Sequence, residues 1–297
     1  MKKNKIVRGY AFVILSAVIF GLMPLITKLI YEDGVNAVTL VFLRNLFALP
    51  MLAALALRND GKIKIKAKEI PEISIISIVG CCATPVLLLS SYNYIPSGTA
   101  TVFHFIYPAV VVIGSFVFLK EKINSGHVLS VVICMIGIAL FYDTSGAINF
   151  KGSLFALASG VTYSLYIIMI SKFKDKNISV FTFTFFVSAV AAAVMFALCA
   201  VTGELAFPES IRGWTLVAAF ALFIHVGAMV LFQSGTFLIG GSKASILSTF
   251  EPITSVIVGI LIFKEQTSAL TILGTVLVIS ASVLITTIDN RQNSKES

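Results

Sequence analysis

Residues 97–126 read SGTATVFHFIYPAVVVIGSFVFLKEKINSG, and residues 241–268 read GSKASILSTFEPITSVIVGILIFKEQTS. The two stretches carry the same punctuation. Pro108 and Pro252 are 144 positions apart, and so are Ala100 and Ala244, Lys120 and Lys264, and Glu121 and Glu265. A proline inside an apolar run, followed at one distance by Lys-Glu, occurs twice at one offset. Near the start of each copy, Arg8-Gly9 and Lys151-Gly152 match at an offset of 143. The chain therefore reads as one unit written twice, with repeats expected over residues 1–145 and 146–297.

Each copy is overwhelmingly apolar. Of 297 residues, 58% are hydrophobic and 12% charged, and the mean hydropathy is +0.98. Soluble domains carry about 25% charged residues, and a soluble fold of this length could not hide so much apolar surface. The net charge of +8 raises the question of nucleic acid, but no RNA- or DNA-binding motif is present and the basic residues sit in short loops between apolar runs. No nucleic-acid partner is expected. Cys81, Cys82, Cys134 and Cys199 all lie inside apolar runs without metal-ligand spacing, and read as small packing residues. No metal or cofactor is expected. The N-terminal Met1-Lys2-Lys3-Asn4-Lys5 resembles a signal-peptide start, but the apolar run after it is too long and lacks a small-residue cleavage site. It reads as a retained first transmembrane helix.

A helix needs about 20 residues to cross a ~30 Å hydrocarbon core. Charge, Gly and Pro divide the chain into ten such spans: residues 9–30, 36–57, 71–94, 97–119, 126–143, 152–171, 179–202, 213–235, 242–263 and 268–288. Tyr94-Ile95-Pro96-Ser97-Gly98 and Gly240-Gly241-Ser242 supply the turns at the two narrowest separations. The fold class is an all-α integral membrane protein with ten transmembrane helices. Ten spans put both termini on one side. That side then holds 17 of the Lys and Arg residues, against three (Lys151, Arg212, Lys264) opposite, with Lys28 and Arg44 inside spans. The positive-inside rule makes it the cytoplasm. Five helices per copy is an odd number, so the copies have opposite orientations. Two inverted five-helix repeats are the architecture of many secondary transporters, whose solute site lies near the midplane between the halves. Duplication for bundle stability alone is the plainer alternative.

The pattern Phe250-Glu251-Pro252 followed by Phe263-Lys264-Glu265, with a degenerate copy at Ile106-Tyr107-Pro108 and Leu119-Lys120-Glu121, resembles the EamA-type transporters of the drug/metabolite transporter superfamily. The resemblance covers the whole chain. It implies ten helices in two inverted repeats and transport of a small solute, often export of amino acids or other metabolites. Tyr107 in place of a second Glu makes the implied cavity chemically asymmetric.

Candidate site residues follow from their depth. Glu251 is the only acidic residue well inside a span, about 15 Å along its helix and so near the midplane. An ionised carboxylate there is costly unless paired or wet, so this group could take up and release a proton, or contact a solute amine. The alternative is a structural Glu holding a broken helix. Pro108 and Pro252 lack an N–H and would leave the carbonyls of His104 and Ser248 without their helical partners, an arrangement tolerated at depth where it lines a cavity. Pro24, Pro50 and Pro85 read as packing kinks. Arg44, beside Asn45, could snorkel outward or face the cavity and bind an anionic group. Lys28 reads as an interfacial anchor and His127 as a solvated interfacial residue. His104 and His225 lie mid-span, and His104 neighbours Tyr107 one turn on. Tyr163, Asn93 and Gln233 complete the intra-span polar set.

The expected function is a secondary transporter working by alternating access, with protons as a candidate coupling ion and lipid and a small solute as partners. The expected location is the cell membrane, with both termini cytoplasmic. No P-loop supplies ATP-driven transport. The alternatives are an intramembrane enzyme, for which HExxH, GxGD and DDxxD patterns are missing, and a sensor or scaffold. Within transport, they are a cationic drug exporter or a lipid-linked metabolite flippase.

Overall fold

The computed structural model describes residues 2–119, 125–140, 149–173, 178–239, 244, 247–248, 250–262, 264 and 268–293. The Lys120-Glu121 pair, Phe263, Glu265, Lys122, Lys174, Lys176, Lys243, Lys295, the Gly240-Gly241-Ser242 turn and the boundary at 145 lie outside them. The described residues form ten helical segments in chain order and no strands. We label them α1 (Lys2–Gly21, continuing as Met23–Tyr31), α2 (Ala37–Asp60), α3 (the run Ala67–Ser91), α4 (Ser97–His104, then Tyr107–Leu119), α5 (Ser125–Ala139), α6 (Phe150–Lys172), α7 (Val180–Thr202), α8 (the run Ile211–Ile239), α9 (Phe250–Leu261) and α10 (Ala269–Asn293). Six of these segments are long and apolar enough to cross a membrane by themselves: α1, α2, α3, α6, α7 and α8.

Helix ends are set by the same chemistry in both halves. Asn36 Oδ1 accepts the Thr39 N–H at 2.8 Å to start α2, and Ser179 Oγ accepts the Thr182 N–H at 3.2 Å to start α7, 143 positions on. Gly61 and Gly203, at φ 67° and 70°, end the same two helices in the left-handed region where a Cβ is disfavoured. α2 and α7 pack antiparallel and are clasped at both ends. At one end, Asn36 Nδ2 and Thr39 Oγ1 donate to the Glu204 carbonyl at 2.7 and 3.0 Å. At the other, Ser179 and Thr182 donate their hydroxyls to the Asp60 carboxylate. Other pairs formed between halves are α5 with α10, α1 with α8, and α3 with α6. In lipid no hydrophobic drive favours helix association, so close backbone approach matters. A Cβ added to Gly137 of α5 would stand 2.9 Å from the Gly274 carbonyl of α10.

The helices that surround the centre are broken. α1 is interrupted at Leu22, just before Pro24. α4 unwinds over Phe105–Ile106, before Pro108. α3 and α8 each carry a π-helical stretch, Ile78–Ala83 and Phe220–Ala228. The 144-residue offset carries the first stretch into the second. Such widened turns free backbone groups and mark functional regions more often than chance. α2, by contrast, runs through Pro50 without a break. The proline carbonyl expectation holds only in part. The Ser248 carbonyl is not left free, because the Glu251 N–H turns back to it at 2.9 Å. The His104 carbonyl faces Gly160 of α6, where an added Cβ would stand 2.5 Å from it. The Tyr107 carbonyl accepts the Ser164 hydroxyl at 3.1 Å.

Candidate functional site

Where the broken segments converge, the protein forms a half-open cavity. Its wall comes from α1, α2, α3, α4, α6, α8 and α9. No described residue of α5, α7 or α10 lines it, and α5 and α10 pack against each other. The wall is mostly apolar and aromatic, with Phe20, Met23, Leu88, Met229 and Phe232 prominent, and carries a few polar groups. That composition is typical of small-molecule sites.

Two groups of formal charge line this one cavity. Arg44 is 6% exposed and Glu251 7%. Arg44 does not snorkel outward. Its guanidinium lies within electrostatic reach of Cys81, Cys82 and Tyr166 and of His225, and its buried Nε donates to no described residue. Asn45 turns away, its Nδ2 donating to the Val41 carbonyl of its own helix at 2.7 Å. Glu251 opens α9, where the helix N-terminus favours a negative charge. Tyr107 and Tyr163 are close enough to feel its charge. Among the described residues, Arg44 and Glu251 form no ion pair, with each other or with anything else.

His104, Tyr107 and Tyr163 form an aromatic cluster beside Glu251. The His104 and Tyr163 ring centroids are 5.2 Å apart, and the Tyr107 ring meets Tyr163 edge-on at 4.9 Å. His104 and Tyr163 line the cavity, and Tyr107 lies fully buried behind them. On the Arg44 side, His225 Nε2 and the Ser188 hydroxyl of α7 are 2.9 Å apart. Gln233 is one layer back, donating to the Tyr166 hydroxyl at 2.8 Å and accepting from Thr184. Pro108 and Pro252 place the breaks that bring His104 and Glu251 to the cavity wall. Asn93 is the outlier: it is exposed in the turn between α3 and α4 and is not part of the wall.

Sequence reasoning passed over several wall residues. Tyr166 follows Tyr163 by three positions, a spacing that puts both on one helix face. Thr84, bonded to Thr162 at 2.8 Å, and Cys81 gave no signal distinct from packing. Among the described residues, no three His, Cys, Asp or Glu side chains group to hold a metal ion.

The model of the EamA-like transporter family matches the chain twice, over residues 7–143 and 150–287. The chain belongs to the EamA-like transporter family. It is a multi-pass membrane transporter of the drug/metabolite type. An uncharacterised transporter of Clostridium kluyveri is 22% identical over 93% of this chain and 92% of its own length. An inner membrane transporter of Salmonella typhimurium, YicL, is 24% identical over 97% of this chain and 98% of its own. A Bacillus subtilis transporter, YetK, is 24% identical over 76% and 70%. A protein of known crystal structure superposes with a TM-score of 0.70, covering 96% of this chain and 98% of that one at 16% identity. At that identity the likeness speaks to the fold alone.

Proposed function

We propose that this EamA-family chain carries a zwitterionic solute, an amino acid or a close relative, out of the cell by alternating access. The observation behind the reading is that Arg44 and Glu251 line one cavity without pairing. Two opposite charges that are held apart and buried are each costly. A solute with a carboxylate for Arg44 and an ammonium for Glu251 would satisfy both at once. The unpartnered Nε of Arg44 supplies a donor for a bidentate carboxylate contact. Proton coupling follows from the same group, since a proton and the ammonium would compete for the Glu251 carboxylate. The repeats meet between residues 145 and 146 in this reading, both termini are cytoplasmic, and the protein resides in the plasma membrane.

Purified protein in liposomes tests the solute class. Arg44→Ala is expected to weaken amino-acid binding roughly tenfold or more, the size of a lost charged hydrogen bond, and to leave a purely cationic solute unaffected. Equal loss for both would assign Arg44 to folding. A cationic exporter is the second reading, supported by the aromatic cluster around Glu251. It predicts that cations bind wild type better than amino acids do.

A further inference from the structure

His104 carries a hydrogen-bond arrangement that the charge-pairing argument does not use. Its Nδ1 lies 2.8 Å from Ser159 Oγ. Either atom could be the donor in that contact taken alone. Ser159 also has the Ala156 carbonyl, at 2.6 Å, as an acceptor for its one hydroxyl proton. With the proton directed there, the serine oxygen accepts from the imidazole and Nδ1 carries the ring proton. Among the described residues, no carboxylate is hydrogen-bonded or ion-paired to the ring, whose one side-chain hydrogen-bond partner is Ser159. In the neutral ring, Nε2 is then a bare acceptor. His104 is 97% buried, being only 3% exposed, its Nε2 bonds to no described residue, and its side chain forms part of the cavity wall. Tyr163 ties this acceptor to Glu251: its ring is 5.2 Å from His104 and within reach of the Glu251 charge.

We propose that His104 is a specificity residue that reads a second N–H of the solute's ammonium group, and that Ser159 is the positioning residue that keeps Nε2 bare. This rests on the amino-acid reading above and sharpens it to primary amines. A primary ammonium over the Tyr163 face has three N–H donors, enough for Glu251 and His104 together. A dimethylated ammonium has one, and a trimethylated ammonium has none. A buried acceptor left without its donor penalises the wrong solute more than it rewards the right one.

Two measurements on the full chain test this. The first needs no solute. The protein has three histidines, His104, His127 and His225, so ¹⁵N-histidine NMR in a bilayer can assign each by substitution. Wild type is expected to show His104 neutral with its proton on Nδ1, and Ser159→Ala to lose that preference. A proton on Nε2 of His104 in wild type would overturn the proposal. The second compares binding of the twenty amino acids with that of their N,N-dimethyl forms. For whichever amino acids bind, wild type is expected to prefer the parent by at least about tenfold, the scale of one or two lost hydrogen bonds. Ser159→Ala and His104→Phe are expected to reduce that preference to about twofold, whereas Arg44→Ala weakens both forms alike. A preference that survives in both His104→Phe and Ser159→Ala removes His104 from the site. Failure of wild type to bind any amino acid contradicts the zwitterion reading, and with it the primary-amine assignment, whatever the NMR spectrum shows.

Discussion

Single residues carry the chemistry here, and their legibility depended on how unusual they are in lipid. Glu251 stood out because an acid near the midplane is rare and expensive, and the cavity wall includes it. Arg44 was balanced between snorkelling and facing inward, because an apolar helix gives no pattern from which to read a facing direction. Packing decides that: Cys81 and Cys82 of α3, Tyr166 of α6 and His225 of α8 lie around it, and it is buried. Asn93 was drawn into the polar set by its place at the end of an apolar run, but the chain turns there and exposes it. Ser159 was invisible, since its role is to direct another residue's proton. Backbone contacts allow a sharp residue-level test. Gly160 has the His104 carbonyl where a Cβ would go, so Gly160→Ala should cost about 1–3 kcal/mol by overpacking. Thermal unfolding in detergent measures it, and a transition unchanged from wild type would show that α4 and α6 can separate freely.

At the scale of elements, the spans were readable to within a few residues because hydropathy and loop charge are strong signals. The break in α4 was foreshadowed by Pro108, whereas Pro24 reads as a packing kink and α1 is interrupted just before it. The π-helical stretches in α3 and α8 were not foreshadowed, since neither composition nor period distinguishes them from α-helix. Loops join the elements with specific contacts. Asp33, between α1 and α2, accepts the Ser210 hydroxyl at 2.6 Å and the Ser210 N–H at 3.1 Å, and so fastens the start of α8. The hydroxyl contact is the main cause holding the Asp33 carboxyl below its ordinary value. With the folded value depressed, the contribution is fully present above the ordinary value near 3.8 and is lost as pH falls through the folded value. Asp33→Asn should therefore match wild type in strongly acid solution and show faster amide exchange at Ser210 and Gly213 at neutral pH. Equal exchange at neutral pH would dismiss the fastening.

On the scale of the whole molecule, a nearly symmetric frame holds an asymmetric site. Caps, left-handed glycines and π-helical stretches recur between the halves, but charge does not. At the 144-residue offset, Tyr107 corresponds to Glu251, Cys81 to His225 and His104 to Ser248. Duplication made the frame legible in the sequence, and divergence within it made the site harder to read. Opposite orientation of the halves makes a direct topological prediction. A cysteine at Lys64 should react only with reagents supplied from the cytoplasm, and one at Glu204 only with external ones. The reverse pattern would undo the inverted arrangement.

Proton coupling through Glu251 is the part of the proposed function on which the rest turns, and Glu251→Gln in proteoliposomes tests it most directly. Glutamine keeps the shape of the protonated acid and cannot release a proton. With an amino acid that wild type carries, the variant is predicted to lose accumulation driven by a pH gradient while still exchanging internal for external solute. Wild-type pH dependence of accumulation in the variant, at wild-type protein levels, would contradict the account.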